Sequence, residues 1–271
     1  MTLRRWLDRL AGGGPARAEA GTGAPPRRLR FPPTPDAGMT YANWRFGVPI
    51  HSVRSSFHLD NDPGPDSDLY LQLYDASIDG TGTYHGVQTI NLVLLSRWGT
   101  QDAGEVRPTA PDAYVVVRDD EGPYVSLRMP YRIGPGSFTT SLRRTDGDAG
   151  GDWFEFAVAK VTGTAVDETV VGAMRFPRRR PDEPATIADG GGSWTEYWDN
   201  CGPAVLPVPY WRVRLDPPVA NGTTPAEGVT FQYSRMPNGV IDWDPGLGQV
   251  VTEIGGDIMR GSSTPRTVRL R

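Results

Sequence analysis

From Tyr41 onward the chain breaks into short runs in which apolar residues fall on every second position, divided by clusters of Gly, Pro, Asn and Asp. A period of two marks a strand with one buried face, and the clusters are turn signals. The pattern predicts strands over 52–59, 69–75, 83–89, 91–98, 113–118, 124–131, 137–144, 153–161, 168–176, 193–198, 208–214 and 229–235. In the second of these, Leu69, Leu71 and Leu73 share one face, and Tyr70, Gln72 and Tyr74 share the other. Likewise Val125, Leu127 and Met129 oppose Ser126 and Arg128. A dozen strands without crossover helices predict an all-β fold of two antiparallel sheets packed face to face. The expected form is an antiparallel β-sandwich of jelly-roll or concanavalin-like lectin architecture.

The glycines of YLQLYDASIDGTGTYHGVQT (70–89) raise the question of a phosphate-binding loop. A dinucleotide fingerprint needs G-x-G-x-x-G between a strand and a helix. Gly80, Gly82 and Gly86 give G-x-G-x-x-x-G, and a strand follows. Asp79-Gly80 therefore reads as a hairpin turn, and Gly86 as a bulge or the close approach of another backbone.

Ahead of Tyr41 the pattern is different. Leu3, Trp6, Leu7 and Leu10 recur at helical spacing among arginines, enough for one short amphipathic helix or a frayed tail. Residues 11–37 are a Gly/Ala/Pro/Arg linker without periodicity. The expected organisation is a flexible N-terminal tail over 1–40 and a single sandwich domain over 41–271. Asp8 and Arg9 interrupt any signal-peptide core, which points to the cytoplasm and leaves an extracytoplasmic place open.

Composition narrows the classes of function. Among 271 residues, 38% are hydrophobic and 22% charged, which suits a soluble globular protein. The 33 glycines and 26 prolines suit a fold with many turns. A formal net charge of -4 removes the electrostatic case for nucleic acid. The one cysteine, Cys201, excludes an internal disulfide and a cysteine-based zinc cluster, and reads as a buried thiol. No apolar run approaches the ~20 residues of a membrane helix, so no transmembrane segment is expected.

The order of segments also resembles a known pattern. YLQLYDASIDGTGTYHGVQT, LLSRWG, YVSLRMPYRIGPGSFTTSLRR, WFEFAVAKVTG, VGAMRFP and GSWTEYWDNCGPAVLP follow one another. Thr83-Tyr84-His85-Gly86-Val87-Gln88 stands at a Gly-aromatic-x-Gly-x-Gln step, and Leu95-Ser96-Arg97-Trp98 at a Phe-Ser-x-Trp-like step. Pro130-Tyr131, Gly134, Gly136 and Arg143-Arg144 match a Pro-Tyr, glycine turn and Arg-rich strand. Trp194-Thr195-Glu196-Tyr197 matches the closing aromatic-x-Glu-aromatic step. Over about residues 50–222 the chain resembles a bacterial domain family of unknown function, number 3472. The resemblance implies a β-sandwich and brings no catalytic residues.

Three stretches are candidates for chemistry. His51, His58 and His85 are the only histidines, and no G-x-S-x-G elbow accompanies them, so they read as half-buried imidazoles rather than a hydrolase base or zinc ligands. In DNDPGPDSD, Asp60, Asp62, Asp66 and Asp68 surround Gly64 and could supply oxygens to calcium, against the simpler reading of a solvated acidic turn. In SWTEYWD, strand periodicity puts Trp194, Glu196 and Trp198 on one face. Two indoles beside a carboxylate suit a sugar, whose CH face stacks on the rings while its hydroxyls donate to the acid. The competing reading places both tryptophans in the core. A glycan-binding, non-enzymatic module is thus expected, with Tyr70, Gln72 and Tyr74 as further lining. The alternatives are a glycosidase or polysaccharide lyase pairing Glu196 with Glu155 or Asp199, and a structural module without a small ligand.

Overall fold

A computed structural model of the protein describes residues 28–29, 38–120, 122–197, 204–205, 208–233, 238–258, 260 and 264–270. In chain order the strands are β1 Arg28–Leu29, β2 Gly38–Arg45, β3 Ser52–Leu59, β4 Leu69–Ile78, β5 Thr81–Gln88, β6 Leu92–Trp98 and β7 Val106–Pro108. They continue as β8 Tyr114–Arg118, β9 Tyr124–Pro130, β10 Gly136–Asp148, β11 Gly151–Thr162, β12 Ala165–Phe176, β13 Gly190–Tyr197 and β14 Ala204–Val205. Then come β15 Trp211–Leu215, β16 Val219–Ala220, β17 Thr224–Pro225, β18 Gly228–Tyr233, β19 Gly239–Asp244, β20 Gln249–Ile254 and β21 Arg266–Arg269. Among the described residues the only helices are single 3-10 turns at Pro65–Ser67 and Ala103–Glu105. No helix there is long and apolar enough to cross a membrane.

The strands form two large antiparallel sheets. One runs β21-β18-β2-β13-β4-β5-β6-β9-β8; the other runs β19-β20-β15-β3-β10-β11-β12-β7, with β16 and β17 added at β3. The expected all-β sandwich is therefore present. One continuous apolar cluster fills the space between the sheets, drawing Leu69, Leu71, Leu73, Val87, Leu95 and Leu127 from the first and Phe57, Phe138, Phe154, Phe156 and Val213 from the second. Aromatic pairs lock it internally: Phe57 stacks on Phe138 at 5.4 Å and Phe154 meets Phe176 edge-on at 5.4 Å.

Hydroxyls tie the layers together inside this apolar space. Thr40 on β2 bonds Thr195 on the next strand (2.7 Å) and Thr252 on β20 of the opposite sheet (2.8 Å). His85 on β5, fully buried, places Nε2 3.1 Å from the Thr140 hydroxyl on β10. It sits between the rings of Tyr74 (6.4 Å) and Phe156 (5.3 Å). The sequence reading of a half-buried imidazole gives way here: position 85 alternates with outward Tyr84 and faces the middle of the core.

Each of the twelve strands expected from periodicity is present, and the strands not expected are β1 and β2 at the start, the short β7, β14, β16 and β17 between expected strands, and β19 to β21 at the end. β2 begins at Gly38 and sits between β13 and β18, because Thr40, Ala42 and Trp44 alternate inward. The tail boundary at residue 40 is thus corrected, and Arg28–Leu29 pairs with Ala204–Val205 instead of continuing an irregular linker. The helix considered for residues 3–10 lies outside the described residues, as does Cys201.

Both glycine readings hold. Asp79 and Gly80 adopt φ 48° and 88°, the two positive values of a two-residue hairpin turn. Gly86 lies so close to β4 that an added Cβ would stand 2.8 Å from Tyr70 Cε2 and 2.9 Å from Gln72 Cα.

Burial pushes the His85 imidazole down from its ordinary 6.5 to about 3. Between those values the unfolded chain binds a proton that the folded chain refuses. The stability His85 contributes is therefore complete above about pH 6.5 and is lost as pH falls toward 3. His85→Gln, which keeps a donor for Thr140, is expected to flatten the fall of melting temperature over this window; an unchanged slope would assign acid sensitivity to other groups.

Candidate functional site

The face of the nine-stranded sheet turned away from the core carries the site. On β13, Ser193, Thr195 and Tyr197 point inward: Ser193 accepts from the Trp44 indole (2.8 Å) and donates to the Leu73 carbonyl (2.6 Å), and Tyr197 joins the core. Alternation leaves Trp194 and Glu196 on the outer face, both half-buried. The cross-strand register sets Trp194 beside Gln72 and Glu196 beside Tyr70. Trp194, Glu196, Tyr70 and Gln72 therefore share one face, as the sugar-platform reading required. Trp198 and Asp199 lie outside the described residues.

Tyr74 does not join them. The β4 register slips between Gln72, opposite Gly86, and Tyr74, opposite His85, and the β13 register slips beside it. This bulge sends both Leu73 and Tyr74 into the core. Room for the ring comes from Gly191, where a Cβ would stand 2.5 Å from Tyr74 Cζ. Beyond the bulge the alternation is reversed, and Asp75 emerges on the outer face opposite Tyr84 and Gly192.

Aromatic rings cross this face from strand to strand. Tyr41 on β2 meets Trp194 at 5.7 Å, Trp194 meets Tyr84 on β5 at 6.4 Å, Tyr84 meets Trp98 on β6 at 4.8 Å, and Trp98 meets Tyr124 on β9 at 5.8 Å. Tyr70 packs against Tyr84 at 5.7 Å, its ring lying over Gly86. With Leu92 and Leu94, Tyr70 forms a small apolar cluster separate from the core, rimmed by half-buried Tyr84, Ile90 and Tyr114.

Polar groups sit among these rings, several without partners. Both ends of the Gln72 amide are buried with no hydrogen bond, as is Gln88 Oε1. Arg128 on β9 donates through Nε to Ser126 Oγ (3.0 Å), while its Nη1 finds nothing. Asp75 forms no hydrogen bond or ion pair among the described residues, and burial raises its carboxyl from 3.8 to about 6. Burial, reinforced by the neighbouring Tyr84 and Glu196, lifts the Tyr70 phenol well above its ordinary value, with the Arg128 charge opposing, so Tyr70 stays a hydroxyl at neutral pH. Of this group, the strand alternation already marks Arg128 as facing away from the core. Asp75 was hidden by the bulge, and the rings of Tyr41, Tyr84 and Trp98 by the pairing of distant strands.

The other candidates are placed elsewhere. Glu155 lies on β11, in the opposite sheet, bonded to Arg143 at 2.6 Å; Phe154 and Phe156 beside it fill the core, so Glu155 faces the far side of the sandwich. Both layers separate it from Glu196, and the Glu196–Glu155 catalytic pair is corrected. In the acidic loop, Asp60 is held by Arg212 (3.0 Å), Arg214 (2.8 Å) and His58 (3.3 Å), and Asp62 Oδ1 accepts from the Gly64 amide (2.8 Å). Asp66 belongs to a 3-10 turn and Asp68 takes φ 52° just after it. Among the described residues no three His, Cys, Asp or Glu gather as metal ligands, Asp60, Asp62, Asp66 and Asp68 included, and Arg212 and Arg214 hold Asp60.

The Asp75 environment has a measurable consequence. A carboxyl raised from 3.8 to about 6 favours folding below about pH 4, and that contribution is lost as pH rises through 6, at a cost on the order of 3 kcal/mol at neutral pH. Asp75→Asn is expected to melt higher than the parent protein at pH 8, with the gap closing toward pH 5; a gap independent of pH would mean that charge burial is not its cause. Neither a family model nor a curated protein matches the chain, so its functional reading rests on this geometry.

Proposed function

We propose that the protein binds carbohydrate through the outer face of the nine-stranded sheet. The observation that carries this is the unbroken ribbon of rings from Tyr41 to Tyr124, with hydrogen-bonding side chains set among them. β2 to β9 covers six adjacent strands, roughly 24 Å at the usual strand spacing, which is room for an oligosaccharide rather than one sugar. Pyranose CH faces stack on such rings; Glu196 and Asp75 accept from hydroxyls. A lectin-like role on a jelly-roll scaffold, and kinship with the family of unknown function named above, belong to this proposal.

A glycan array followed by calorimetry and a reducing-sugar assay tests the proposal. For any glycan that binds, Trp194→Ala is expected to weaken it by about 1–3 kcal/mol and leave the protein folded. Trp211→Ala, which removes a fully buried indole, is expected to cost about 3–5 kcal/mol of stability instead. Absence of binding across the array, or unchanged affinity in Trp194→Ala, would overturn the proposal; release of reducing ends would make the protein a hydrolase or lyase.

A further inference from the structure

Two arginines are almost fully buried among the described residues. Arg97, 7% exposed, pairs with Glu105 at 2.9 Å, although its Nε has no partner. Arg128 has no such acid. It is 5% exposed, forms no ion pair among the described residues, and has a single hydrogen bond to a neutral serine. A desolvated charge without a counter-charge is among the costlier features a fold can carry.

Its surroundings share the deficit. The register runs Gln72, Gly86, Leu94, Arg128 across four adjacent strands, with Gln88 one step along β5. Gln72 contributes an amide whose donor and acceptor are both unmet, and Gln88 an unmet acceptor. The Tyr70 ring lies over Gly86 between them, and its phenol feels the charge of Arg128. Three side chains on one face, Gln72 on β4, Gln88 on β5 and Arg128 on β9, each more than nine-tenths buried, thus hold unmet hydrogen-bonding capacity.

We infer that this patch is an anion subsite, which takes the carboxylate of an acidic sugar, a hexuronate, bound along the aromatic ribbon. A planar guanidinium and a planar carboxylate pair through two parallel N–H···O bonds. The Gln72 amide donates to the same group, and the adjacent rings take the pyranose. Asp75 and Glu196 flank the ribbon and repel the carboxylate everywhere but at Arg128, so they set the register of the chain. This inference deepens the glycan-binding reading and rests on it for the sugar, though not for the anion.

The test uses the full chain with three probes: trigalacturonate, its neutral methyl ester and sodium sulfate. The acid is expected to bind at least tenfold more tightly than the ester, with the gap shrinking as salt is raised. Sulfate at millimolar concentration is expected to raise the melting temperature of the parent protein and not of Arg128→Gln. Arg128→Gln should also abolish the preference for acid over ester. Arg128→Met, which removes the unmatched charge, should raise the melting temperature of the ligand-free protein, whereas a purely structural arginine would lower it. Equal binding of acid and ester with no sulfate effect overturns the anion subsite and leaves the glycan reading intact. A sulfate shift abolished in Arg128→Gln, with neither trimer bound, upholds the subsite as a site for a free anion and overturns the hexuronate. No response to any probe overturns the anion subsite, and the glycan array decides the glycan reading separately. Should the glutamine variant fail to fold, the three probes on the parent protein still decide.

Discussion

The arrangement of both faces of the nine-stranded sheet depends on one irregularity, the bulge on β4 between Gln72 and Tyr74. A one-residue slip in a strand exchanges its inward and outward sets. Before the slip, Leu69 and Leu71 fill the core while Tyr70 and Gln72 face out. At the slip, Leu73 and Tyr74 both enter the core, where Gly191 leaves space for the phenol ring. After it, Asp75 is delivered to the outer face opposite Tyr84. The matching slip on β13 keeps that strand in step. Core and candidate site are therefore two consequences of the same local geometry.

Both faces of the nine-stranded sheet border unmet buried groups. Inside, Thr40 reaches Thr195 and Thr252, and Ser193 reaches Trp44 and Leu73, while the Tyr74 hydroxyl, His85 Nδ1, Arg97 Nε and the Trp211 indole N–H have no hydrogen bond. Outside, the Gln72 amide, Gln88 Oε1, Arg128 Nη1 and the Asp75 carboxylate are desolvated without partners. An unmet buried group typically costs about 1–3 kcal/mol, a large fraction of the net stability of a domain. Those on the outer face fall in one patch, where a bound ligand would relieve them.

Much of this was legible in the chain. The alternation of Leu69 to Leu73 and of Val125 to Met129 assigned the faces of those strands, Asp79-Gly80 assigned a hairpin, and periodicity put Trp194 with Glu196 and Tyr70 with Gln72, each pair on one face of its own strand; the pairing of the two strands joins them. Tyr74 went astray because a bulge is invisible to a strict period of two. Glu155 and the Asp60 loop went astray because sequence cannot show which sheet a strand joins or which arginine reaches an acid across 150 residues. Arg128 was seen to face outward, but its burial and its lack of a counter-charge depend on packing between strands far apart in sequence.

The central claim is that ligands are bound by the outer face of the nine-stranded sheet. Indole N–H resonances offer a direct reading, since the described tryptophans divide cleanly: Trp98 and Trp194 lie in the aromatic ribbon, Trp44 and Trp211 in the core with Trp243 packed against it, and Trp153 under Arg107 on the other sheet. In a titration with trigalacturonate followed by nitrogen–proton correlation spectra, the account predicts that Trp98 and Trp194 shift progressively and saturate together while Trp44, Trp211 and Trp153 stay in place. Movement of Trp153 alone, or of no indole at any concentration, would contradict it.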